Sequence, residues 1–196
     1  MNPKAFNAGL IDFIDASPSP WHAAQQMRLR LEEAGFVECD GEAAPGSRVF
    51  RQRGGSIVAA ITPGELDSGW RIVGAHTDSP NLRFKPNALY LAEGCLMASI
   101  ETYGGVLMNP WFDRELGLAG RAVVRDADGQ RQTRLVDSGS AVALVPSLAI
   151  HLDREANKAR SINAEKDLNL VLGRADAVPS MTELLADWGL HAGDEV

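Results

Sequence analysis

The residues with the clearest capacity for chemistry are His76 and Asp78, which lie two positions apart near the middle of the chain. An imidazole binds a metal ion through one ring nitrogen, and a carboxylate near the other nitrogen fixes the tautomer and makes the ring a stronger ligand. A His-x-Asp pair by itself is more often a hydrogen-bonded structural pair. His76 is therefore a candidate metal ligand, and Asp78 is a candidate partner that orients it.

The residues before His76 predict the element that positions it. Residues 70–75 are apolar except for one arginine, and both Ile72 and Val73 are β-branched. This pattern predicts a short strand that is buried on both faces, as in a parallel or mixed sheet. Ligand-binding groups of open α/β sheets gather at the carboxyl ends of strands, and the pattern places His76 at such an end.

The first 61 residues predict two helices followed by a β-hairpin. One helix is indicated by apolar residues on a single helical face, and the other by a capping serine followed by proline. His22 lies in the first turn of the second helix, where a partly buried, hydrogen-bonding role is the simplest interpretation. The predicted elements are a helix over residues 4–15, a helix from Pro20 through Ala34 capped by Ser19, and strands over 49–53 and 56–61 joined by Gly54-Gly55.

The second half of the sequence predicts a mainly β region. Short apolar segments recur there with glycine or aspartate between them, and a domain boundary is expected near residue 88. The predicted strands cover residues 88–91, 96–100, 118–125 and 132–136, with a hairpin loop at Asp126-Ala127-Asp128-Gly129. Two helices are predicted in addition, one from Pro146 through Lys158 and one from Thr182 to Trp188.

Composition restricts the classes of function that remain. A net charge of −7 argues against nucleic-acid binding, which requires a basic surface. No run approaches the ~20 apolar residues of a membrane helix, and the N-terminus lacks the apolar core of a signal peptide, so a cytoplasmic protein without a membrane partner is expected. Cys39 and Cys95 are too few for a disulfide framework and are predicted to be reduced thiols.

Several segments, in order along nearly the whole chain, resemble one family. They are Gly74-Ala75-His76-Thr77-Asp78-Ser79-Pro80 with residues 82–87 after it, Ser17-Pro18-Ser19-Pro20-Trp21-His22-Ala23, Glu101-Thr102-Tyr103-Gly104-Gly105, residues 111–121, residues 146–152 and Ser161-Ile162-Asn163-Ala164. This set of motifs is similar to that of the aspartyl aminopeptidase family, which are dinuclear zinc exopeptidases. Matches in a constant order over so many residues do not arise by chance.

The resemblance implies a fold, an activity and an assembly. The fold class would be α/β (α+β): a zinc-exopeptidase-like mixed sheet with helices, followed by a mainly β inserted dimerisation domain. Residues 1–87 would then be the N-terminal part of the catalytic domain, and residues 88–196 the first part of the inserted domain. The complete enzyme would be a homo-oligomer that removes N-terminal Asp or Glu from peptides, with a water activated by two zinc ions.

The resemblance also assigns roles to individual residues. It implies that His76 binds one zinc ion, that Asp78 supports this ligand, and that His151 reaches into a neighbouring subunit's active site to hold the substrate carbonyl. From the residues alone, His151 is more typical of a core histidine, because Ile150 and Leu152 flank it. Residues 111–114 would lie near subunit contacts by resemblance, whereas their types alone indicate a packed aromatic pair beside surface charges.

Only one metal ligand, His76, is carried over by the resemblance. Family members are longer, their other ligands lie beyond the part that this chain matches, and a catalytic zinc ion needs about three protein ligands. The first hypothesis is therefore the N-terminal part of a metalloaminopeptidase that is inactive by itself. The alternative is a non-enzymatic assembly module, which self-associates or pairs with a chain that carries the missing half.

Overall fold

A computed structural model describes residues 2–65, 69–125 and 128–176. They form two compact units that divide between Ser79 and Pro80. The catalytic and inserted domains that we expect on either side of residue 88 remain a prediction. The predicted helix over 182–188 and the first two residues of the predicted 126–129 loop lie outside the described residues.

The first unit begins with two helices, α1 (Pro3–Asp15) and α2 (Pro20–Glu33), and both predictions are confirmed. Ser19 has an extended backbone, and its hydroxyl accepts a hydrogen bond from the backbone N–H of His22, as an N-cap does. Pro20 follows at the first helical position, where its missing N–H has no intrahelical partner to lose. Gly35 adopts the left-handed conformation (φ +80°) immediately after the helix and ends it.

The apolar side of α1 is formed as predicted but is not covered. Phe6, Leu10 and Ile14 are 59%, 49% and 59% exposed, and no residue of α1 is buried. Most helical stability in proteins comes from packing of such a face. Within the described residues, burial of this apolar face therefore contributes little to the stability of α1.

A small mixed sheet follows the helices. It contains β1 (Val37–Glu38), β2 (Arg48–Arg53) and β3 (Ser56–Ile61) in that order, with β1 parallel and β3 antiparallel to β2. The predicted hairpin is confirmed, whereas β1 is too short to leave a pattern in the sequence. Phe50 of β2 is 2% exposed and forms the centre of this unit's core.

The prediction of a buried strand over residues 70–75 is wrong for this structure. Trp70, Ile72 and Val73 are 59%, 87% and 95% exposed, and the segment belongs to none of the sheets of the described residues. A strand buried on both faces needs hydrogen-bonded neighbours and covering layers. In the described part of the chain the sheet ends at β3, so these apolar residues have nothing to pair with.

The second unit is mainly β, as predicted. Its sheet contains β4 (Asn81–Ala92), β5 (Cys95–Tyr103) and β8 (Leu170–Arg174), all antiparallel, and a separate hairpin pairs β6 (Ala119–Arg125) with β7 (Arg131–Asp137). A short helix, α3 (Ala164–Asp167), precedes β8. The core of the sheet consists of Ala88, Ala98, Ile100, Phe112, Val145, Leu168 and Leu170.

The predicted helix over residues 146–158 is wrong. Residues 150–159 form a series of turns instead, and Leu148 and Leu152 are 58% and 74% exposed. A helix of about this length is marginal in water unless its apolar face packs against something. Because these leucines pack against no core of the described residues, tertiary structure does not support the local preference for a helix.

Cys39 and Cys95 are both free, as expected. In the described ranges, no helix combines the length and the apolar character that a bilayer crossing requires.

Candidate functional site

His76 lies in the extended segment that follows the first unit's sheet, and its side chain is 82% exposed. Its Nδ1 lies 2.7 Å from the backbone carbonyl oxygen of Asp78. A carbonyl oxygen only accepts hydrogen bonds, so this contact places the ring proton on Nδ1. The lone pair of the neutral ring is then on Nε2, which is the atom available to a metal ion.

The carboxylate of Asp78 is close to the ring but is not its nearest partner. Its Oδ1 lies 3.6 Å from His76 Nδ1, which is longer than a hydrogen bond. The backbone of Asp78 therefore fixes the tautomer, and its side chain contributes a negative charge nearby. One residue further back, the Thr77 hydroxyl donates a 2.7 Å hydrogen bond to the Gly55 carbonyl and ties the segment to the β2–β3 turn.

His76 suits zinc by its donor chemistry, but the described residues supply too few further ligands. Zinc binds neutral imidazole nitrogens whose second nitrogen donates to a carbonyl or carboxylate, as here. A catalytic zinc ion typically takes about three protein ligands, and no group of three His, Cys, Asp or Glu side chains that could hold a metal occurs among the described residues. His76 therefore fits as one ligand of a site that these residues do not complete.

His151 lies in the second unit, in the turns that replace the predicted helix. Its side chain is exposed, as are those of Ile150 and Leu152. The interpretation of His151 as a buried core residue is therefore wrong. The alternative role, contact with a substrate carbonyl in a neighbouring subunit, requires an accessible ring and remains a prediction.

His22 has the structural role that its position predicts. The residue is partly buried, and its Nδ1 lies 2.7 Å from the hydroxyl oxygen of Ser19, the N-cap of α2. The same hydroxyl accepts the backbone N–H of His22 at 3.4 Å. The pair secures the first turn of the helix, and nothing in this geometry requires a metal ion.

The contacts that form a polar cluster around Phe112 and Asp113 were not predicted from the sequence. Phe112 is buried, while Asp113 has a positive φ (+56°), which is unusual for a residue other than glycine. Hydrogen bonds from Ser147, through its side chain and its backbone N–H, lower the pKa of Asp113 from its ordinary value, and the charge of Arg160 adds to this. The Arg160 guanidinium lies 4.0 Å above the Phe112 ring.

Only part of this cluster can be recognised in the sequence. Residues 111–114 are conspicuous because they combine aromatic and charged side chains. Ser147 and Arg160 lie far along the chain, and no spacing rule connects them to Asp113. Only the pairing of the segments around Phe112 and Val145 brings them together.

Comparisons with known proteins agree with the motifs. The model of the family described as aminopeptidase I zinc metalloprotease (M18) matches residues 13–184. A Pseudomonas aeruginosa protein, described as "Probable M18 family aminopeptidase 2", is 47% identical over 175 residues, which are 86% of this chain and 41% of that relative. The chain thus spans less than half the length of this relative.

Two solved structures share the fold. Ape4, in its complex with Nbr1, has a TM-score of 0.82 at 33% identity, over 90% of this chain and 36% of that one. The M18 aminopeptidase of Thermotoga maritima has a TM-score of 0.76 at 25% identity, over 98% of this chain and 46% of that one. With a family model that matches most of its length, this chain belongs to the M18 family of aminopeptidases.

Proposed function

We propose that this chain contributes one zinc ligand, His76, to a metalloaminopeptidase that removes N-terminal Asp or Glu from peptides. The observation that carries the proposal is the geometry of His76: an exposed ring whose Nδ1 is held by the Asp78 carbonyl at 2.7 Å, so that Nε2 is left for a metal. Membership of a zinc metalloprotease family supports zinc as that metal. The acidic specificity follows from the resemblance to aspartyl aminopeptidases.

Each residue of this chain has a limited role in the proposed reaction. In the complete site, two zinc ions would supply a water nucleophile and polarise the substrate carbonyl. His76 holds one of them, and Asp78 keeps its ring in the required tautomer. His151 of a neighbouring subunit donates a hydrogen bond to the substrate carbonyl oxygen as negative charge develops there.

We infer that the chain by itself is inactive, because one imidazole does not retain a catalytic zinc ion. The test compares the pure chain with a mixture of this chain and a polypeptide that corresponds to the remaining part of the Pseudomonas aeruginosa relative. With zinc present and an N-terminal Asp peptide as substrate, we expect turnover only from the mixture. A matched peptide with N-terminal Asn tests whether the acidic group is required.

Two results would count against this function. Robust turnover by the pure chain would show that the inference of inactivity is wrong. A mixture that forms a stable complex but cleaves no peptide would refute the shared site. His76→Gln should abolish turnover by the mixture. Glu38→Gln is the matched control: Glu38 lies on β1, far from His76 in the sequence, so this variant should retain turnover.

A second candidate function, non-enzymatic assembly, is favoured by the exposed apolar residues of the first unit. Ile72 and Val73 are 87% and 95% exposed, and Val58 and Ile61 of β3 are 72% and 59% exposed. A cavity of about 360 Å³ with apolar walls also lies over β2 and β3, where Phe50 contributes to its lining. Val58 also lines this cavity, and exposed apolar patches mark interaction sites.

Size-exclusion chromatography with light scattering tests the assembly function. We expect the chain to form homo-oligomers at micromolar concentration, or a defined complex when the complementary polypeptide is present. If the chain remains a monomer, both alone and with the complementary polypeptide present, the assembly function is excluded. Because the assay needs no catalysis, it separates assembly from peptidase activity.

A further inference from the structure

We propose that Asp113 and Arg160 are positioning residues that hold the segment 146–160, here called the His151 loop, in a fixed conformation. The catalytic consequence rests on the role proposed for His151, whereas the ordering of the loop does not. Asp113 holds the start of the loop, and Arg160 holds its end. Asp113 directly follows Phe112, and Arg160 lies over the ring of Phe112, which is part of the second unit's core.

The contacts of Asp113 secure the first residues of the loop. Its backbone N–H donates to the carbonyl of Val145 at 2.9 Å, and its Oδ1 accepts the backbone N–H of Ser147 at 2.8 Å. Val145 is itself fully buried and is bridged to Phe112. Asp113 therefore holds the residue before Pro146 and the residue after it, at the point where the chain leaves the core.

The backbone of Asp113 supports a specific function for this contact. Its φ of +56° lies in the left-handed region, which residues other than glycine rarely adopt and which Asn and Asp tolerate better than most. Such a conformation persists only where the surrounding contacts determine it. Here the strained backbone directs both the N–H and the carboxylate of Asp113 at the start of the loop.

Arg160 secures the other end of the loop. Its guanidinium lies 4.0 Å above the Phe112 ring, and its Nε lies 3.4 Å from Oδ2 of Asp153, within the loop. The side chains of Arg160 and Asp153 are only 17% and 23% exposed. Partial burial strengthens both the cation–π contact and the ion pair, because water screens them less.

Burial of the loop's own apolar residues does not explain its conformation. Leu148, Ile150 and Leu152 are 58%, 46% and 74% exposed. The loop also has no helix of its own, only turns such as those closed by Leu152 and Lys158. Contacts at the two ends of the loop therefore carry most of the restraint on His151.

The test uses variants that separate the carboxylate from the backbone strain. Asp113→Gly accepts a positive φ and removes the acceptor, whereas Asp113→Asn accepts the same φ and keeps an oxygen for the Ser147 N–H. Arg160→Ala removes the other restraint. Glu155→Gln, a change within the loop but outside these contacts, is the control.

Two measurements report on the loop without requiring activity: the histidine ring resonances, and trypsin cleavage after Arg154 and Lys158. In Asp113→Gly and Arg160→Ala we expect shifted His151 resonances and cleavage at least tenfold faster, with unchanged His76 resonances. Asp113→Asn should restore most of the protection, and Glu155→Gln should resemble the wild type. Unchanged His151 resonances and unchanged cleavage in both disruptive variants would overturn the proposal.

A third measurement connects the loop to catalysis. In the active mixture with the complementary polypeptide, Asp113→Gly should lower kcat at least tenfold and leave KM within about twofold, because His151 acts on developing charge. If the loop is released but kcat is unchanged, the role of His151 fails while the ordering of the loop stands. If the wild-type mixture is inactive, the proposed function fails, and the first two measurements still decide whether the loop is held.

Discussion

At the scale of single residues, the importance of His76 is that its two ring nitrogens differ. The 2.7 Å contact with the Asp78 carbonyl occupies Nδ1, so Nε2 is prepared for a ligand before any metal arrives. A histidine on an exposed segment without such a contact would populate both tautomers. The preparation is local, since donor and acceptor are two residues apart.

Zinc titration of the isolated chain should therefore perturb His76 first. We expect weak binding, followed by the histidine ring resonances, with His76 shifted before His22 and His151. His76→Gln should lower the zinc affinity of the chain at least tenfold, because it removes the prepared nitrogen. His151→Gln is the matched control and should leave the affinity unchanged; an equal loss in both variants would rule out a specific role for His76.

The carboxylate of Asp113 predicts a dependence of stability on pH. The hydrogen bonds from Ser147 favour the ionised form and lower the folded-state pKa of Asp113 from its ordinary value. A depressed pKa means that the stabilisation is fully present above the unfolded-state pKa and is lost as the pH falls through the folded-state value. Urea unfolding of the second unit should accordingly show a loss of stability below about pH 4.

Asp113→Asn provides the comparison for this pH effect. Asparagine has no charge to lose, so the difference in unfolding free energy between wild type and variant should shrink as the pH is lowered from 6 to 3. The charged side chains of the neighbouring loop, Asp153, Arg154, Glu155, Lys158 and Arg160, are unchanged in this pair of proteins. A difference that stays constant over this range would show that Asp113 does not titrate with a depressed pKa.

At the scale of elements, two serines before α2 have opposite roles. The Ser19 hydroxyl is 2.7 Å from the ring of His22 and caps the helix, whereas the hydroxyl of Ser17 is buried and has no hydrogen-bond partner among the residues that the structure describes. Removing a capping hydroxyl costs about 1 kcal/mol. Removing a buried hydroxyl that makes no hydrogen bond relieves a desolvation cost.

We therefore expect Ser19→Ala to destabilise the first unit by about 1 kcal/mol and Ser17→Ala to be neutral or slightly stabilising. Thermal or urea unfolding of the two variants measures the difference. In Ser19→Ala, the resonances of His22 should also change, because its ring loses the hydroxyl partner. Equal destabilisation by the two substitutions would contradict the assignment of Ser19 as the cap.

At the scale of the whole molecule, the exposed apolar residues of each unit bear on its tendency to associate with other chains. The first unit exposes the face of α1, the edge strand β3 and the segment 70–73. An unpaired strand edge beside exposed β-branched residues is a template for pairing with another chain. This exposure predicts association, either with a second copy or with a complementary polypeptide.

Val73→Asp should reduce this association. The residue is 95% exposed, so a charge there should change the free energy of unfolding of the isolated unit little. A charge buried in an interface, by contrast, would strongly disfavour association. Light scattering should show a shift to smaller species, with an unchanged unfolding midpoint. Glu65→Asp, a change that adds no charge, serves as the control, and an unchanged oligomer distribution in Val73→Asp would exclude this surface.

Local rules were sufficient for part of the fold. The caps and helix bounds of α1 and α2, the glycine turn between β2 and β3, and the mainly β pattern of the second unit all follow from residues close together in the chain. The contact between His76 and Asp78 is also local, although its partner is the backbone carbonyl of Asp78 and not the carboxylate that the sequence predicted. In each case the energetic preference is decided within about one turn of structure, so the sequence carries it.

Only the tertiary structure decided the remainder. The segment 70–75 has the composition of a buried strand, and residues 146–158 have that of a helix, yet neither forms, because each depends on partners that the described residues do not provide. The contacts of Asp113 with Ser147 and of Arg160 with Phe112 likewise join residues more than 30 positions apart. The sequence by itself thus determined the family and the capped helices, because both depend on local residues, whereas burial and long-range pairing depend on what surrounds a segment and were settled by the fold.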